Sequence, residues 1–176
     1  AVGDPVVAGF AASLARPGGN ITGVSNLAVE MTGKWLELLR EMAPKLADVG
    51  VLWNPANPTH HTFWKEAQAG ARNMNLRAQG VEFNSPDDFE NNFATMVAKK
   101  VNGVLVLPDP ITSSNRAKLA ALLSKHKLPG IALFRESAEA GFLLSYGISA
   151  YANHRRAAVY IDKIFKGAKP GELPIE

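Results

Sequence analysis

Short apolar runs alternate with longer amphipathic stretches along most of the 176-residue chain. The runs at 49–53 and 104–107 are apolar throughout, which is typical of strands buried on both faces of a sheet. Each run is followed by a stretch with apolar residues at helical spacing. Strand–helix units joined by short connections predict a parallel sheet covered by helices, because parallel neighbours need a crossover. We therefore predict an α/β fold with a doubly wound parallel sheet.

The pattern predicts strands at 21–26, 49–53, 76–83, 104–107, 131–134 and 142–146. Helices are predicted at 5–15, from Thr32 to before Pro44, at 59–74, from Ser85 onward, after a cap at Ser113 or Ser114, at 136–140 and at 150–166. The inward helix faces include Met42 and Val97. The two prolines of 168–176 predict an extended exit segment.

Composition narrows the class of protein. Hydrophobic residues make up 47% and charged residues 20% of the chain, as in globular domains, and no apolar run is long enough to span a bilayer. The net charge is +3, but Lys and Arg are scattered except within 154–169, which does not favour a nucleic-acid partner. The absence of cysteine excludes disulfides, thiolate metal sites and a cysteine nucleophile. Because the sequence starts at Ala1, with neither a Met nor a signal-peptide pattern, we expect an excised piece or a processed chain.

The loops that follow the predicted strands are the expected ligand-binding positions, because open parallel sheets bind ligands beyond the carboxyl ends of their strands. Several of these loops combine a polar side chain with a following helix N-terminus, whose free N–H groups attract anions. They are Asp4-Pro5, Ser25-Asn26, 54–57, Asn84-Ser85, 108–112, Phe134-Arg135 and Tyr146-Gly147.

The polar residues of these loops also have a structural interpretation. Asp4, Asn57 and Ser113 are good helix caps, and Asp109 stands between two prolines, where a carboxylate can close a turn. Both interpretations stay open at the level of sequence.

The adjacent histidines His60 and His61 suggest a metal site, but their spacing argues against one. Metal-binding histidines on a helix stand at i and i+4, whereas neighbours diverge by about 100°. We interpret the pair as solvent-facing residues at a helix start and predict no metal site.

Catalytic motifs are absent from the sequence. It contains no G-x-S-x-G elbow, no phosphate-binding G-x-x-x-x-G-K-[ST] loop and no G-x-G-x-x-G after the first strand. These absences argue against an enzyme, and no cofactor is expected. An α/β enzyme with an unrecognised site stays open as an alternative.

Motifs along the whole chain then indicate a family. DPVVAG (4–9), RPGGNITGV (16–24), VGVLWNPANP (49–58), GVLVLPDP (103–110) and KGAKPGELP (166–174) resemble the ABC-transporter substrate-binding proteins of the tryptophan/tyrosine type. That resemblance implies the type I periplasmic-binding fold, in which two α/β lobes joined by crossing strands close on a ligand. It places 1–26 as the remnant of the first lobe with its hinge strand, 27–147 as the second lobe, and 148–176 as a return helix and exit segment of the first lobe.

The resemblance also implies a function and a site. The expected function is the solute-binding component of an ABC importer for an amino acid or related, possibly aromatic, carboxylate. Asp109 is the expected partner of a ligand ammonium, and the helix N-termini near Pro58 and Ser113 are the expected seats of its carboxylate. The expected contacts are Asp4, Asn54, Asn57 and Asp109 through polar groups, and Trp53, Phe134 and Tyr146 through apolar or stacking surface.

The expected partners are the small-molecule ligand and a membrane permease, with the protein periplasmic or anchored at the outer face of a membrane. Apolar faces on the helices 5–15 and 150–166 suggest packing on the second lobe, or a homodimer or swapped dimer. The alternative function is the effector-binding domain of a transcription regulator, which shares the fold.

Overall fold

The computed structural model describes residues 5, 6, 8–25 and 29–176. Asp4, one of the expected ligand contacts, lies outside the described residues. The chain divides into two compact units. One unit contains the described residues of 1–28 together with Ile148–Glu176, and the other is Val29–Gly147.

The unit Val29–Gly147 is built on a five-stranded sheet in which every neighbouring pair is parallel. Its strands are β1 (Asp48–Trp53), β2 (Arg77–Glu82), β3 (Gly103–Val106), β4 (Gly130–Ala132) and β5 (Leu144–Ser145). Their spatial order is β2-β1-β3-β4-β5, with Val51 of β1 opposite Gly80 of β2 and Leu105 of β3. The prediction of an α/β, doubly wound parallel sheet is confirmed.

Seven α-helices occur in the described residues: α1 (Thr32–Met42), α2 (Pro58–Asn73), α3 (Asp88–Ala98), α4 (Pro110–Ser114), α5 (Arg116–Lys125), α6 (Arg135–Glu139) and α7 (Ala150–Phe165). Two 3₁₀ turns lie at Val29–Met31 and Pro170–Glu172. In this described part of the chain, no helix has both the length and the apolar character that crossing a bilayer requires.

Helices cover the sheet on both faces. On one face, Leu52 and Val104 pack with Phe89 and Phe93 of α3 and with Leu119 of α5. On the other face α1 packs against α2, where Trp35 and Phe63 stack with their ring centroids 5.9 Å apart. The strand residues alternate between these two layers, which explains why residues 49–53 of β1 and all of β3 are apolar.

Two residues expected on inward helix faces are exposed instead. The exposed fractions are 55% for Met42 and 45% for Val97. In α1 the buried positions are Thr32, Trp35, Leu36 and Leu39. The apolar stripe of a helix is about 100° wide, so a residue at its border is buried only if a neighbouring element covers it.

Two helix starts differ from the prediction. Ser85 does not cap α3, because the Asp88 carboxylate accepts hydrogen bonds from the N–H groups of Asn84 and Ser85 and holds a turn before the helix begins at Asp88. Ser113 and Ser114 lie inside the short α4, which Asp109 caps, and Asn115 rather than either serine occupies the N-cap position of α5.

The predicted helix 5–15 is not formed by the described residues of that range. The N–H groups of Phe10 and Ala11 both donate to the Pro5 carbonyl, and Gly9 has a φ of +74°, outside the right-handed helical region. These contacts make turns instead. The Pro5 start and the apolar spacing favoured a helix locally, but the hydrogen bonds of the described residues form turns rather than a helical ladder.

The segment 168–176 is not a free exit segment but is hydrogen-bonded to residues 14–25 of the same unit. The Ile175 N–H donates to the Leu14 carbonyl at 2.7 Å, and the Thr22 hydroxyl donates to the Leu173 carbonyl at 2.7 Å. The backbone of 21–25, predicted as a strand, belongs to no sheet, and part of its hydrogen bonding goes to this tail. Burial of Ile175 fixes the end of the chain.

Candidate ligand-binding site

The strand order defines one crevice at the carboxyl edge of the sheet. From β1 the chain moves outward to β2 on one side and then returns to β3 on the other side, so the loops after β1 and β3 leave in opposite directions. In sheets with this order ligands bind at such a switch point. Asn54 directly follows β1, and Pro108 and Asp109 follow β3.

Asp109 is buried at this crevice, with 4% of its surface exposed. Its Oδ1 accepts a hydrogen bond from the Ile111 N–H at 2.9 Å, and its own N–H donates to the Thr112 hydroxyl at 3.1 Å. This reciprocal capping box starts α4. The carboxylate of Asp109, interpreted from the sequence as closing a turn, thus caps a helix, and the cap leaves its second oxygen for other contacts.

Two asparagines from the loop after β1 donate to the second carboxylate oxygen. Asn57 Nδ2 lies 3.0 Å and Asn54 Nδ2 lies 3.4 Å from Asp109 Oδ2. The amide oxygens are also occupied: Asn54 Oδ1 accepts from the Ala56 N–H, and Asn57 Oδ1 caps α2 through the Thr59 N–H. Three predicted site residues are thus brought together, although 52 to 55 residues separate the asparagines from Asp109.

His60 completes this group and was missed by the sequence analysis, which placed it in solvent. Its side chain is fully buried, whereas His61 is exposed. The Asn54 N–H donates to His60 Nδ1 at 2.8 Å, and His60 Nε2 lies 3.2 Å from the Pro108 carbonyl. Burial lowers the pKa of His60 below its usual value, so the neutral ring is favoured. The helical spacing of His60 with the inward Phe63 and Ala67 is the signal that could have found it.

The described residues hold no group of three or more His, Cys, Asp or Glu side chains suited to a metal ion. The prediction that the histidine pair is not a metal site rested on its spacing, and the hydrogen bonds give His60 another role. Both of its ring nitrogens are already engaged by backbone groups. Ser113 lies inside α4, between the helix starts at Pro110 and Arg116, and caps neither helix. The expected carboxylate seat near Ser113 stays a prediction.

Trp53, the last residue of β1, is turned toward the edge strand β2. Its indole stacks on Trp64 at a centroid distance of 6.1 Å, and its Nε1 would lie 3.2 Å from a Cβ built on Gly80. The Trp53 Nε1 is buried without a hydrogen-bond partner. Its ring thus packs on α2, and its N–H is an unused donor.

Phe134 and Tyr146 follow β4 and β5. Phe134 lines a small pocket of about 10 Å³ at the carboxyl ends of β3 and β4, together with Pro108, Thr112 and Phe142. Tyr146 is 43% exposed, and its carbonyl accepts a hydrogen bond from the Trp35 Nε1 at 2.7 Å. The backbone of Tyr146 is therefore anchored while its ring remains accessible.

The group around Asp109 lacks a positive partner. Within the described ranges, no Lys or Arg nitrogen lies within ion-pair distance of the Asp109 carboxylate, and its contact with His60 Nε2 is 3.9 Å. The His60 ring is kept neutral by burial. A buried carboxylate normally has a cation or several donors around it. Here three N–H donors occupy about three of its four acceptor positions, and one remains.

A doubly wound sheet with a polar, donor-lined crevice at its switch point defines a ligand-binding α/β protein. The chain belongs to the ABC transporter substrate binding protein family, whose model matches residues 1–176.

The relatives that this chain matches are longer than the chain itself. It is 26% identical over 176 residues to the tyrosine-binding protein of Clostridioides difficile (strain R20291), covering 99% of this chain and 50% of that protein. An ABC domain from Streptococcus pneumonia in complex with L-Trp is 25% identical with a TM-score of 0.87, covering 100% of this chain and 59% of that one. The ligand-free, open structure of a Clostridium difficile substrate-binding protein with adhesive properties is 25% identical with a TM-score of 0.66, covering 100% of this chain and 59% of that one. The chain thus spans about half the length of the curated relative.

Proposed function

We propose that the protein is the solute-binding component of an ABC importer and that it binds an amino acid, with aromatic amino acids as the first candidates. The family membership and the tyrosine- and tryptophan-binding relatives support this proposal over an effector domain of a transcription regulator. We further propose that the protein acts outside the cytoplasm and delivers its ligand to a membrane permease.

The single observation that carries the amino-acid proposal is the missing countercharge at Asp109. A ligand ammonium would supply that charge and would fill the acceptor position left free by Ile111, Asn54 and Asn57. A hydrogen bond to a charged group contributes about 1.5–3 kcal/mol, more than one between neutral groups. Asp109 would therefore make the ammonium a strong determinant of affinity.

Other groups of the crevice would hold the rest of the ligand. The N-terminal end of the 16-residue α2 near Pro58 carries the positive end of the helix dipole and would attract the ligand carboxylate. Phe134 and the exposed Tyr146 ring would contact an apolar side chain. Trp53 stays in the proposed set of contacts for apolar surface at the end of β1, while its Nε1 faces Gly80 of β2. Asp4 stays in the proposed set of contacts as a residue outside the described ranges.

The domain assignment also stays a proposal. Residues 27–147 would form the second lobe of a two-lobed binding protein, and 1–26 with 148–176 would belong with the first lobe. The relatives' greater length and the division of the chain into two units support this assignment.

Calorimetry with ligand pairs tests the proposal. L-tryptophan and indole-3-propionate differ only in the ammonium group, so the protein should bind L-tryptophan at least about tenfold more tightly if Asp109 receives that group. L-tyrosine and its deaminated analogue provide a second pair. Equal affinity for both members of each pair would refute the ammonium assignment, and binding of neither would refute the aromatic ligand class.

An Asp109→Asn variant isolates the charge. It keeps the size of the side chain and a capping oxygen, so the chain should stay folded. Because it removes the negative charge, the preference for L-tryptophan over indole-3-propionate should largely vanish. Asp87→Asn is the matched control, because Asp87 occupies an N-cap position with an exposed side chain that makes no capping hydrogen bond. A preserved preference in Asp109→Asn would contradict the role given to Asp109.

A further inference from the structure

The imidazole of His60 joins the two loops that flank the crevice. His60 is the third residue of α2 and is fully buried. Its Nδ1 is bonded to the backbone N–H of Asn54, directly after β1, at 2.8 Å. Its Nε2 is bonded to the backbone carbonyl of Pro108, between β3 and Asp109, at 3.2 Å. One ring therefore bridges two neighbouring strand ends through main-chain groups.

The partners allow one protonation state of this ring. A backbone N–H can only donate, so Nδ1 must be the acceptor and carry no proton. A carbonyl can only accept, so Nε2 must carry the proton and donate. A doubly protonated ring would lose the bond to Asn54, and the other neutral tautomer would lose both bonds. The geometry thus selects the neutral ring with the proton on Nε2.

The ring lies beside the proposed ligand-binding groups. The Asp109 Oδ2, which accepts from Asn54 and Asn57, is 3.9 Å from His60 Nε2, too far for a hydrogen bond. His60 therefore acts on this group through the backbone positions of Asn54 and Pro108 rather than through the carboxylate. The edge-on contact of its ring with Phe63, 6.2 Å between centroids, holds the imidazole from the side of α2.

We propose that His60 is a positioning residue of the ligand site, which fixes the spacing between the loops after β1 and β3 so that Asn54 and Asp109 meet the ligand in one arrangement. This inference rests on the proposed function for its binding consequence, but the bridge itself requires no ligand. Without the ring, the hydrogen bonds that still join the two loops within the described residues would be those from Asn54 and Asn57 to Asp109, and the one from Asn54 is long. Ligand binding would then have to order them.

Two measurements test the bridge without ligand, one in the parent protein and one in a variant. The ¹⁵N chemical shifts of the His60 ring should show a neutral imidazole protonated at Nε2. In His60→Phe, which keeps an aromatic ring but neither hydrogen bond, exchange of the Asn54 amide hydrogen should accelerate about tenfold. The Leu107 amide, which donates to the Leu52 carbonyl, is the internal control and should change much less. A ring protonated at Nδ1, or an Asn54 amide unaffected by the substitution, would overturn the bridge.

Measurements of ligand affinity separate a positioning role of His60 from a role in packing alone. His60→Asn keeps an acceptor close to the place of Nδ1, so it should retain more affinity for L-tryptophan than His60→Phe, for which we expect a loss of about tenfold or more. His126→Phe, the same substitution at the C-terminal end of α5, is the control away from the crevice and should bind like the parent protein. Equal affinity of His60→Phe and the parent, with the bridge confirmed by NMR, would refute the positioning role. If the parent itself binds no aromatic amino acid, the proposed function fails while the ring and exchange measurements still decide the bridge. If His60→Phe does not fold, the ring shifts of the parent still decide the bridge, and His60→Leu, which also lacks both hydrogen bonds, replaces it in the exchange and binding measurements.

Discussion

Replacing Asp109 by alanine should destabilise the chain by about 2–3 kcal/mol, even without ligand. The cap of α4 is lost, which costs about 1 kcal/mol. The buried Asn54 and half-buried Asn57 amides lose their shared acceptor, at a cost of about 1 kcal/mol each. Removing a buried charge relieves part of its desolvation penalty, which brings the sum toward the lower end.

Serine at this position separates the contributions. Asp109→Ser keeps a capping oxygen, but its side chain cannot reach the asparagine amides. Its free energy of unfolding should therefore lie between those of the parent and Asp109→Ala, about 1 kcal/mol above that of Asp109→Ala. Urea unfolding followed by circular dichroism gives the free energies, and an unchanged m-value confirms that only stability changed. Asp87→Ala, at the cap position without a capping bond, should stay within about 0.5 kcal/mol of the parent. A loss below about 0.5 kcal/mol in Asp109→Ala would refute the assignment of Asp109 as the common acceptor.

Two further predictions concern the frame around the site. The hydrogen bond from Arg77 lowers the pKa of Asp48, so Asp48 contributes stability that is fully present above its unfolded pKa of about 3.9 and is lost as pH falls through its lower folded pKa. Asp48→Asn should therefore flatten the acid limb of the pH profile of the unfolding free energy, and an unaltered acid limb would contradict the assignment. Gly147 has a φ of +152°, and a Cβ there would lie 2.8 Å from the Leu133 carbonyl oxygen, so Gly147→Ala should cost about 1–3 kcal/mol and lower Tm. Gly33→Ala is its control and should keep or raise Tm, because Gly33 lies in α1 with open space around a Cβ. An unchanged Tm in Gly147→Ala would show that the backbone there adapts.

The fold could be predicted because its signals are local. An apolar run such as that of β1 indicates a strand buried on both faces, and the alternation with amphipathic helices requires parallel pairing. The rule that ligands bind beyond the carboxyl ends of parallel strands led to Asn54 and Asp109, since it identifies loops at strand ends without knowledge of contacts. Helix starts were less accurate, because Ser85 and Asp88 both have side chains suited to capping, and each accepts a hydrogen bond from a backbone N–H of the turn before α3.

The turn at 5–15 shows where local signals fail. Pro5 and the spacing of Phe10 favour a helix, but the hydrogen bonds to the Pro5 carbonyl and the positive φ of Gly9 form turns instead. Helix formation in so short a segment depends on the surface that it packs against, because isolated helices of this length are marginal in water.

By itself the sequence determined the class of fold, the five strands of the sheet and the loops at their carboxyl ends, because periodicity and turn residues act over a few positions. Only the tertiary structure decided what those loops make together. The burial of His60 depends on the rotation of α2 against the sheet, and the sharing of Asp109 by Asn54 and Asn57 depends on the pairing of β1 with β3. Residues more than 50 positions apart become neighbours through that pairing, and their hydrogen bonds leave no periodic trace in the chain.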